Sequence, residues 1–213
     1  TSNYTTSAAV CSEEGEIIAN LKRPLPVKSG ECGLRQSDAV FAHVKNLPSL
    51  TDELSQILSS SGCEPVAVGV SARPRDAEGS YMPCFLAGVS AASGIAATHG
   101  VPLYRFSHQC GHMRAALYSA GKDALCNTTF GAFHISGGTT ELLVVEPEGN
   151  LFRCTKIGGT TDISAGQLID RTGQLLSLPF PSGKHLDALS KEAVQKDVFK
   201  VKCSNMAFSL SGV

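Results

Sequence analysis

A chain of 213 residues that is 42% hydrophobic and 17% charged can bury a real core and has room for one or two domains. Its formal net charge of −1 excludes a generally basic nucleic-acid coat and leaves at most a local patch of Arg73, Arg75 and the Lys22–Arg23 pair. No stretch approaches the ~20 apolar residues of a membrane-spanning helix, since the longest small-residue run, Leu86 to Ala97, is interrupted by Gly88 and Gly94.

In chain order, Thr6 to Cys11 and Ile17 to Leu25 predict a β-hairpin around Glu13–Glu16, ended by Pro24 and Pro26. Val40, Phe41, Val44 and Leu47, then Leu54, Ile57 and Leu58 after a Thr51 cap, predict two helical pieces separated by Pro48. Val66 to Val70 reads as a buried strand and Ser71 to Ser80 as a polar loop. Cys84 to His99 reads as a helix of small residues able to pack closely on a sheet, and Val101 to Phe106 as the next strand. A helix from the histidines to about Ser119 follows, then a linker from Gly121 to Thr129. From Gly131 the pattern resumes: a strand, a Ser136–Thr140 turn, a strand Glu141–Val145, a turn Pro147–Asn150, a strand Leu151–Lys156 and a helix Ser164–Leu176. Aligning Ser2 to Val10 with Ser136 to Val144 puts Ser, Thr, Thr and Val in register, a weak internal repeat expected of duplicated lobes.

Two groups of residues carry chemistry. His108 and His112 stand four apart, and on a helix that spacing places Cβ atoms roughly 5–6 Å apart on one face, so both imidazoles reach one cation that still needs a third ligand. The plain alternative is a surface or core pair. Ser107 is placed to cap this helix, Gly111 to leave room beside the second ring, and Cys110 to pack off the histidine face. The position after a strand is where α/β sheets bind ligands. Ser136-Gly-Gly-Thr-Thr140 offers amides and hydroxyls to a phosphate, or is a hairpin whose glycines supply positive φ. Gly158-Gly-Thr-Thr-Asp162 carries the same two readings. Asp170 reads as a ribose acceptor or a solvated helical Asp, and Pro181-Ser-Gly183 as a backbone approach point or a turn.

Taken in order, these motifs resemble the tRNA threonylcarbamoyladenosine transferase family, formerly labelled glycoproteases or O-sialoglycoprotein endopeptidases. The resemblance covers nearly the whole chain and rests on Thr1-Ser2, His108-Gln-Cys-Gly-His112, Ser136-Gly-Gly-Thr-Thr140, Asp162-Ile-Ser-Ala-Gly-Gln-Leu-Ile-Asp170-Arg171, Pro181-Ser-Gly183 and Phe208-Ser-Leu-Ser-Gly-Val213. It implies an α/β fold of two actin, Hsp70 and sugar-kinase-like lobes of ribonuclease H type: residues 1–127 with the metal histidines, and residues 128–213 as the start of an incomplete second lobe. It implies transfer of a threonylcarbamoyl group from its adenylate to N6 of the adenine beside the anticodon. His108 and His112 would ligate a divalent metal, iron ahead of zinc, with the third ligand beyond Val213. Threonylcarbamoyl-AMP or ATP would be held by His134, Ile135, Ser136, Gly137, Gly138, Asp170, Gly183 and Asp187. Expected partners are tRNA, a smaller paralogous subunit and a small ATPase, with no membrane.

The chain departs from the family pattern at several polar positions. Tyr4 and Thr5 stand where the family has an acidic pair, Thr139 replaces the loop His, Ser182 a Gly and Gln167 a Glu, and Ser71-Ala-Arg-Pro74 replaces Ala-Gly-Pro-Gly. These changes leave the catalytic residue unassigned and motivate a second reading, a paralogue that binds nucleotide or metal as a partner or regulator. A metallopeptidase ranks lower, because Gln109 stands where a zinc protease needs its Glu. A sugar-kinase-type phosphotransferase is disfavoured by Tyr4. Eight cysteines without CxxC spacing or a preceding secretory leader are expected to be reduced cytoplasmic thiols. The missing initiator Met and the abrupt end lead us to expect a fragment of a longer protein.

Overall fold

The computed structural model describes residues 1–26, 34–194 and 201–211. The chain forms two compact α/β units, Thr1–Ala115 and Ala116–Val213. The domain boundary expected at 127–128 falls in the second unit, where a short 3-10 helix, Asp123–Asn127, occupies part of the expected linker. Cys32 and the end of the Phe208–Val213 motif lie outside the described residues, within which the cysteines are free thiols. Among the described residues no helix is long and apolar enough to cross a membrane.

The first unit opens with the expected antiparallel hairpin, β1 (Thr5–Cys11) and β2 (Ile17–Pro24). Helix α1 then runs unbroken from Gln36 to Ser61, so the two pieces expected around Pro48 are one helix. Proline costs a helix its N–H and crowds the carbonyl four residues back. Here that carbonyl belongs to Val44, and both Val44 and Pro48 face solvent, while Ala39, His43 and Leu50 form a continuous buried stripe on the opposite side. Burial of that stripe outweighs the lost bond. Thr51 starts nothing: its Oγ1 donates back to the carbonyls of Leu47 at 2.9 Å and Pro48 at 2.8 Å, as a mid-helix threonine does.

Strands β3 (Val68–Arg73) and β4 (Leu103–Ser107) pair in parallel, with helix α2 (Cys84–His99) as their crossover. Gly62 and Gly100 close α1 and α2 in the left-handed region, each at φ 66°, where a Cβ would be strained. Leu25, Ala39, Cys84 and Phe85 form the core where the end of β2, α1 and α2 meet, flanked by Leu34, Ala42 and Met82. From β4 the chain passes directly into α3 (His108–Ser119).

The second unit is a five-stranded sheet ordered β5-β6-β7-β9-β8, from β5 (Phe130–Ile135), β6 (Thr140–Glu148), β7 (Leu151–Thr160), β8 (Cys203–Ser204) and β9 (Ala207–Phe208). The turn expected at Pro147–Asn150 is shorter, because Pro147 stays in β6 opposite Phe152 and only Gly149 and Asn150 turn. Gly149 takes φ 60°, the positive value a two-residue hairpin needs at its first position. Leu143, Val145, Phe152 and Cys154 are buried on one face, where the Phe130 and Phe152 rings meet edge-on at 6.1 Å. On the other face of β5, at the end of the sheet order, Phe133 and Ile135 are exposed. Helices α4 (Ala165–Leu175) and α5 (Gly183–Glu192) pack on each other, and Gly183 opens the second helix rather than closing a turn.

The weak repeat has a structural counterpart within each unit. Ser2 N donates to Thr5 O at 3.3 Å, and Ser136 N donates to Thr139 O at 2.8 Å, the same bond at aligned positions. The next residue, Thr6 or Thr140, is buried in both cases and begins or nearly begins a strand.

Replacing Pro48 with Ala should restore the N–H that Val44's carbonyl lacks and raise unfolding free energy by about 1–3 kcal/mol, read from the urea midpoint.

Candidate functional site

Helix α4 organises the second unit's candidate residues. Ser164 caps it by accepting from Gln167 N at 3.1 Å, and Gln167 Oε1 accepts from Ser164 N at 3.2 Å, a reciprocal capping box. A Gln therefore fills the structural role open to the family's Glu at this position. The same Ser164 hydroxyl donates to Gly137 O at 2.6 Å, and Ala165 N donates to Thr140 Oγ1 at 2.8 Å, so the Ser136–Thr139 turn lies against the helix N-terminus. Gly166 is a requirement of that contact: a Cβ there would come within 2.5 Å of Gly137 Cα and Ser136 O. On the outer side the turn is open, with nothing within 4 Å of a Cβ built on Gly137 or Gly138. An exposed glycine turn beside a helix N-terminus is chemically suited to a phosphate oxygen.

Of the residues proposed around this turn, only Ser136, Gly137 and Gly138 belong to it. His134 and Ile135 lie in β5 on opposite faces, His134 half-buried and paired with Glu141, Ile135 facing out. Glu141 itself is buried and pairs with Lys156 Nζ at 3.4 Å. Further along α4, Asp170 Oδ1 accepts from Ser182 N at 3.0 Å and so holds the start of α5, where Gly183 stands. Ser182 is buried against Gly173, whose hydrogen leaves the space that its side chain fills. Asp187 is exposed on α5 and is bonded to Lys191 Nζ at 2.7 Å.

The second glycine stretch is no cradle. Gly158 and Gly159 are strand residues of β7, where Cβ atoms would meet Met206 O at 2.3 Å and Thr140 O at 2.4 Å, so the stretch is neither a cradle nor a hairpin turn. Asp162, noted in the sequence only as a motif letter, is the busiest acceptor of this unit. Its carboxylate takes hydrogen bonds from Ser209 Oγ and Ser211 Oγ at 2.5 Å, Leu210 N at 2.9 Å and Ser211 N at 3.1 Å, besides Ile163 N and Thr160 Oγ1. The Ser209 and Ser211 hydroxyls, foremost, hold this carboxyl far below the usual carboxylate range.

In the first unit, α3 presents His108 and His112 with ring centroids 4.3 Å apart in an edge-on arrangement, and Phe85 stands 5.7 Å from His108. The expected Ser107 cap is present, accepting from Cys110 N at 3.1 Å. His112 keeps a solvent-facing edge, yet the surrounding protein disfavours its charged form and holds it below the ordinary histidine range. Two imidazoles side by side fit a borderline divalent metal such as iron or zinc. Two expectations change here. A Cβ on Gly111 would touch the Phe106 ring at 3.5 Å, an ordinary contact, so the space beside this glycine is faced by that ring. Cys110 is buried as expected, but its thiol donates to Asp76 Oδ2 at 2.8 Å.

The Ser2–Thr5 turn is held by a polar row on α1. His43 Nε2 lies 2.6 Å from Ser2 O, which can only accept; in the neutral ring Nδ1 must then accept from Thr6 Oγ1, 2.8 Å away. Asn46 Nδ2 donates to that hydroxyl at 3.1 Å, and Gln36 Nε2 donates to Asn3 Oδ1 at 2.9 Å. Tyr4, at the family's acidic position, projects outward, 47% exposed. The basic patch thins as well, because Arg23 is paired with Glu53 and Arg73 with Asp76.

The sequence model described as tRNA N6-adenosine threonylcarbamoyltransferase matches residues 28–213. The chain is 38% identical over 218 residues to the protein of that name from Ligilactobacillus salivarius, covering 98% of this chain and 58% of the relative. It is 33% identical over 194 residues to that from Geobacillus thermodenitrificans, covering 90% and 53%, and 30% identical over 213 residues to that from Enterococcus faecalis, covering 98% and 58%. The chain thus spans about half the length of the curated relatives it matches.

Gly166→Ala should lower unfolding free energy by about 1–3 kcal/mol, since backbone and not a flexible side chain blocks the new methyl. Gly138→Ala, facing open space, should stay within about 0.5 kcal/mol of the parent in the same urea titrations. A pH dependence follows from His43, whose charged form is disfavoured first of all by burial. The unfolded chain binds a proton at His43 more readily than the folded one, so stability is retained above about pH 6.5 and declines as pH falls below it. Urea midpoints at pH 7 and pH 5 should show that decline, and His43→Gln should flatten it.

Proposed function

The chain belongs to the tRNA N6-adenosine threonylcarbamoyltransferase family, and from that membership we propose that the protein transfers a threonylcarbamoyl group from threonylcarbamoyl-AMP to N6 of the adenine adjacent to the anticodon in tRNA. The observation that carries this reading is the open Ser136–Gly138 turn fixed to the N-terminus of α4, which suits the phosphate of the adenylate. In the reaction the adenine N6 lone pair attacks the carbamoyl carbonyl carbon. A C–N bond forms, the carbonyl–phosphate C–O bond breaks, AMP leaves with that electron pair, and N6 gives up a proton.

The chain's residues divide this work. The amides of Gly137 and Gly138 would stabilise the phosphate as charge builds on the leaving AMP. His134 and Ile135 would orient the turn from β5, and Asp170, Gly183 and Asp187 would face the nucleoside along α4 and α5. His108 and His112 would hold a divalent metal, iron in preference to zinc, and a metal bound there supplies Lewis-acid polarisation of a carbonyl. No carboxylate stands at position 4 to take the N6 proton; an acceptor would come from solvent or another part of the protein.

We further propose tRNA as substrate, a smaller paralogous subunit and a small ATPase as partners, and a cytoplasmic location. tRNA affinity is largely phosphate neutralisation. A chain of net charge −1 whose Arg23 and Arg73 are already paired would borrow positive charge from its partners.

A second reading, a paralogue that binds nucleotide or metal without transferring, is favoured by the outward Tyr4 and by Thr139 in place of the loop His. A metallopeptidase is not: Gln109 is buried, 2% exposed, and cannot serve as a carboxylate base.

The test is AMP release and acyl transfer from synthetic threonylcarbamoyl-adenylate to unmodified tRNA by the full-length protein with its partner subunits. The transferase reading expects metal-dependent transfer that falls at least a hundredfold in the His108→Ala/His112→Ala variant, on the order of what loss of one charge-stabilising group costs. Tight adenylate binding with no transfer would instead establish the regulatory paralogue.

A further inference from the structure

The loop after β3 reaches across to the first turn of α3, and one carboxylate makes most of the connection. Asp76 Oδ2 accepts from Ser107 Oγ at 3.0 Å and from Cys110 Sγ at 2.8 Å. Its other oxygen, Oδ1, accepts from Arg73 Nη2 at 2.8 Å, which ties the loop back to the end of β3. Pro74 O accepts from Gln109 N at 3.1 Å, and the Ser107 hydroxyl that Asp76 orients accepts in turn from Cys110 N at 3.1 Å. The Asp76 side chain is only 12% exposed, so these bonds are made largely out of water, where an unsatisfied partner is costly.

The residues so held, Ser107, Gln109 and Cys110, bracket His108 and lead into His112 one turn later. A helix's first amides lack partners within the helix and fray unless something accepts from them. Here the acceptors are Pro74 O and Ser107 Oγ, and Asp76 fixes the second of these while binding the side chain of Cys110 between the two histidines. A carboxylate at a helix N-terminus also sits favourably in the helix dipole. The chain departs from the family pattern here, with Ser71-Ala-Arg73 ending β3 and Pro74-Arg75-Asp76 opening the loop.

We propose that Asp76 is a positioning residue for the His108/His112 pair, setting the first turn of α3 so that both imidazoles meet one divalent cation. The inference rests on the reading of the two histidines as metal ligands. In this role Asp76 acts through Ser107 and Cys110.

Co2+ is the probe, because its absorption reports ligand number and geometry as well as affinity. Titrated into the full-length protein, it should bind Asp76→Ala tenfold or more weakly than wild type, the loss usual for groups that orient metal ligands, with a weakened Co2+ spectrum. Asp76→Asn keeps an acceptor for Ser107 and Cys110 but not the charge for Arg73, and should lose about threefold. Leu50→Val, which disturbs the core of the same unit, should keep wild-type Co2+ affinity, separating positioning from general loss of stability. Wild-type affinity and spectrum in Asp76→Ala would overturn the inference; if that variant does not fold by circular dichroism, wild-type affinity in Asp76→Asn would do so. His108→Ala/His112→Ala binding Co2+ as wild type does would remove the metal reading itself. Loss in that double variant with none in Asp76→Ala would remove the positioning role alone.

Discussion

Thr140 Oγ1 accepts the amide of Ala165 while donating to the carbonyl of Thr139, and the geometry of the second unit follows from that hydroxyl. It fixes the first amide of α4 to the first residue of β6, which forces the intervening Ser136–Thr139 turn against the helix end. Two further conditions make the arrangement possible. Ser164 must cap the helix and reach the turn with the same oxygen, and position 166 must lack a Cβ. The result leaves Gly137 and Gly138 facing open space beside a partial positive charge. Asp170 extends the arrangement to α5 by holding Ser182 N, so one helix aligns residues from three separate stretches of sequence.

The first unit uses the same device with different chemistry. Thr6 is the counterpart of Thr140, but its hydroxyl meets the side chains of His43 and Asn46 on α1 instead of a helix N-terminus. The turn is therefore pinned by a helix flank. Replacement of the family's acidic pair by Tyr4 and Thr5 leaves this scaffold intact, because neither Thr6 nor His43 depends on what stands at position 4.

Much of this was legible in the sequence where a local signal and a tertiary need agree. Cys84–His99, the His108–Ser119 helix with its Ser107 cap, and the hairpins were readable because periodicity, capping and turn residues point the same way. Pro48 misled because a breaker acts on the backbone alone, whereas the buried stripe of Ala39, His43 and Leu50 acts through packing. Gly158 and Gly159 look like a ligand loop in sequence, and only strand pairing reveals that Met206 and Thr140 take the space. Asp76, Asp162 and Glu141 carry no local signal, since they bond Ser107 and Cys110, Leu210 and Ser211, and Lys156, which only the fold brings near. His43 could have been found: a polar residue at the centre of an apolar helical stripe implies a buried hydrogen bond.

The exposed face of β5 bears on how the protein behaves in solution. Among the described residues β5 pairs with β6 alone, and Phe133 and Ile135 are 63% and 59% exposed beside its unpaired edge. An edge strand with open N–H and C=O groups and apolar side chains, and without a lysine, proline or bulge within Phe130–Ile135 to spoil it, is a template for another strand. That edge offers a second chain a strand to pair with, and covering it favours dispersed chains at the concentrations an assay requires.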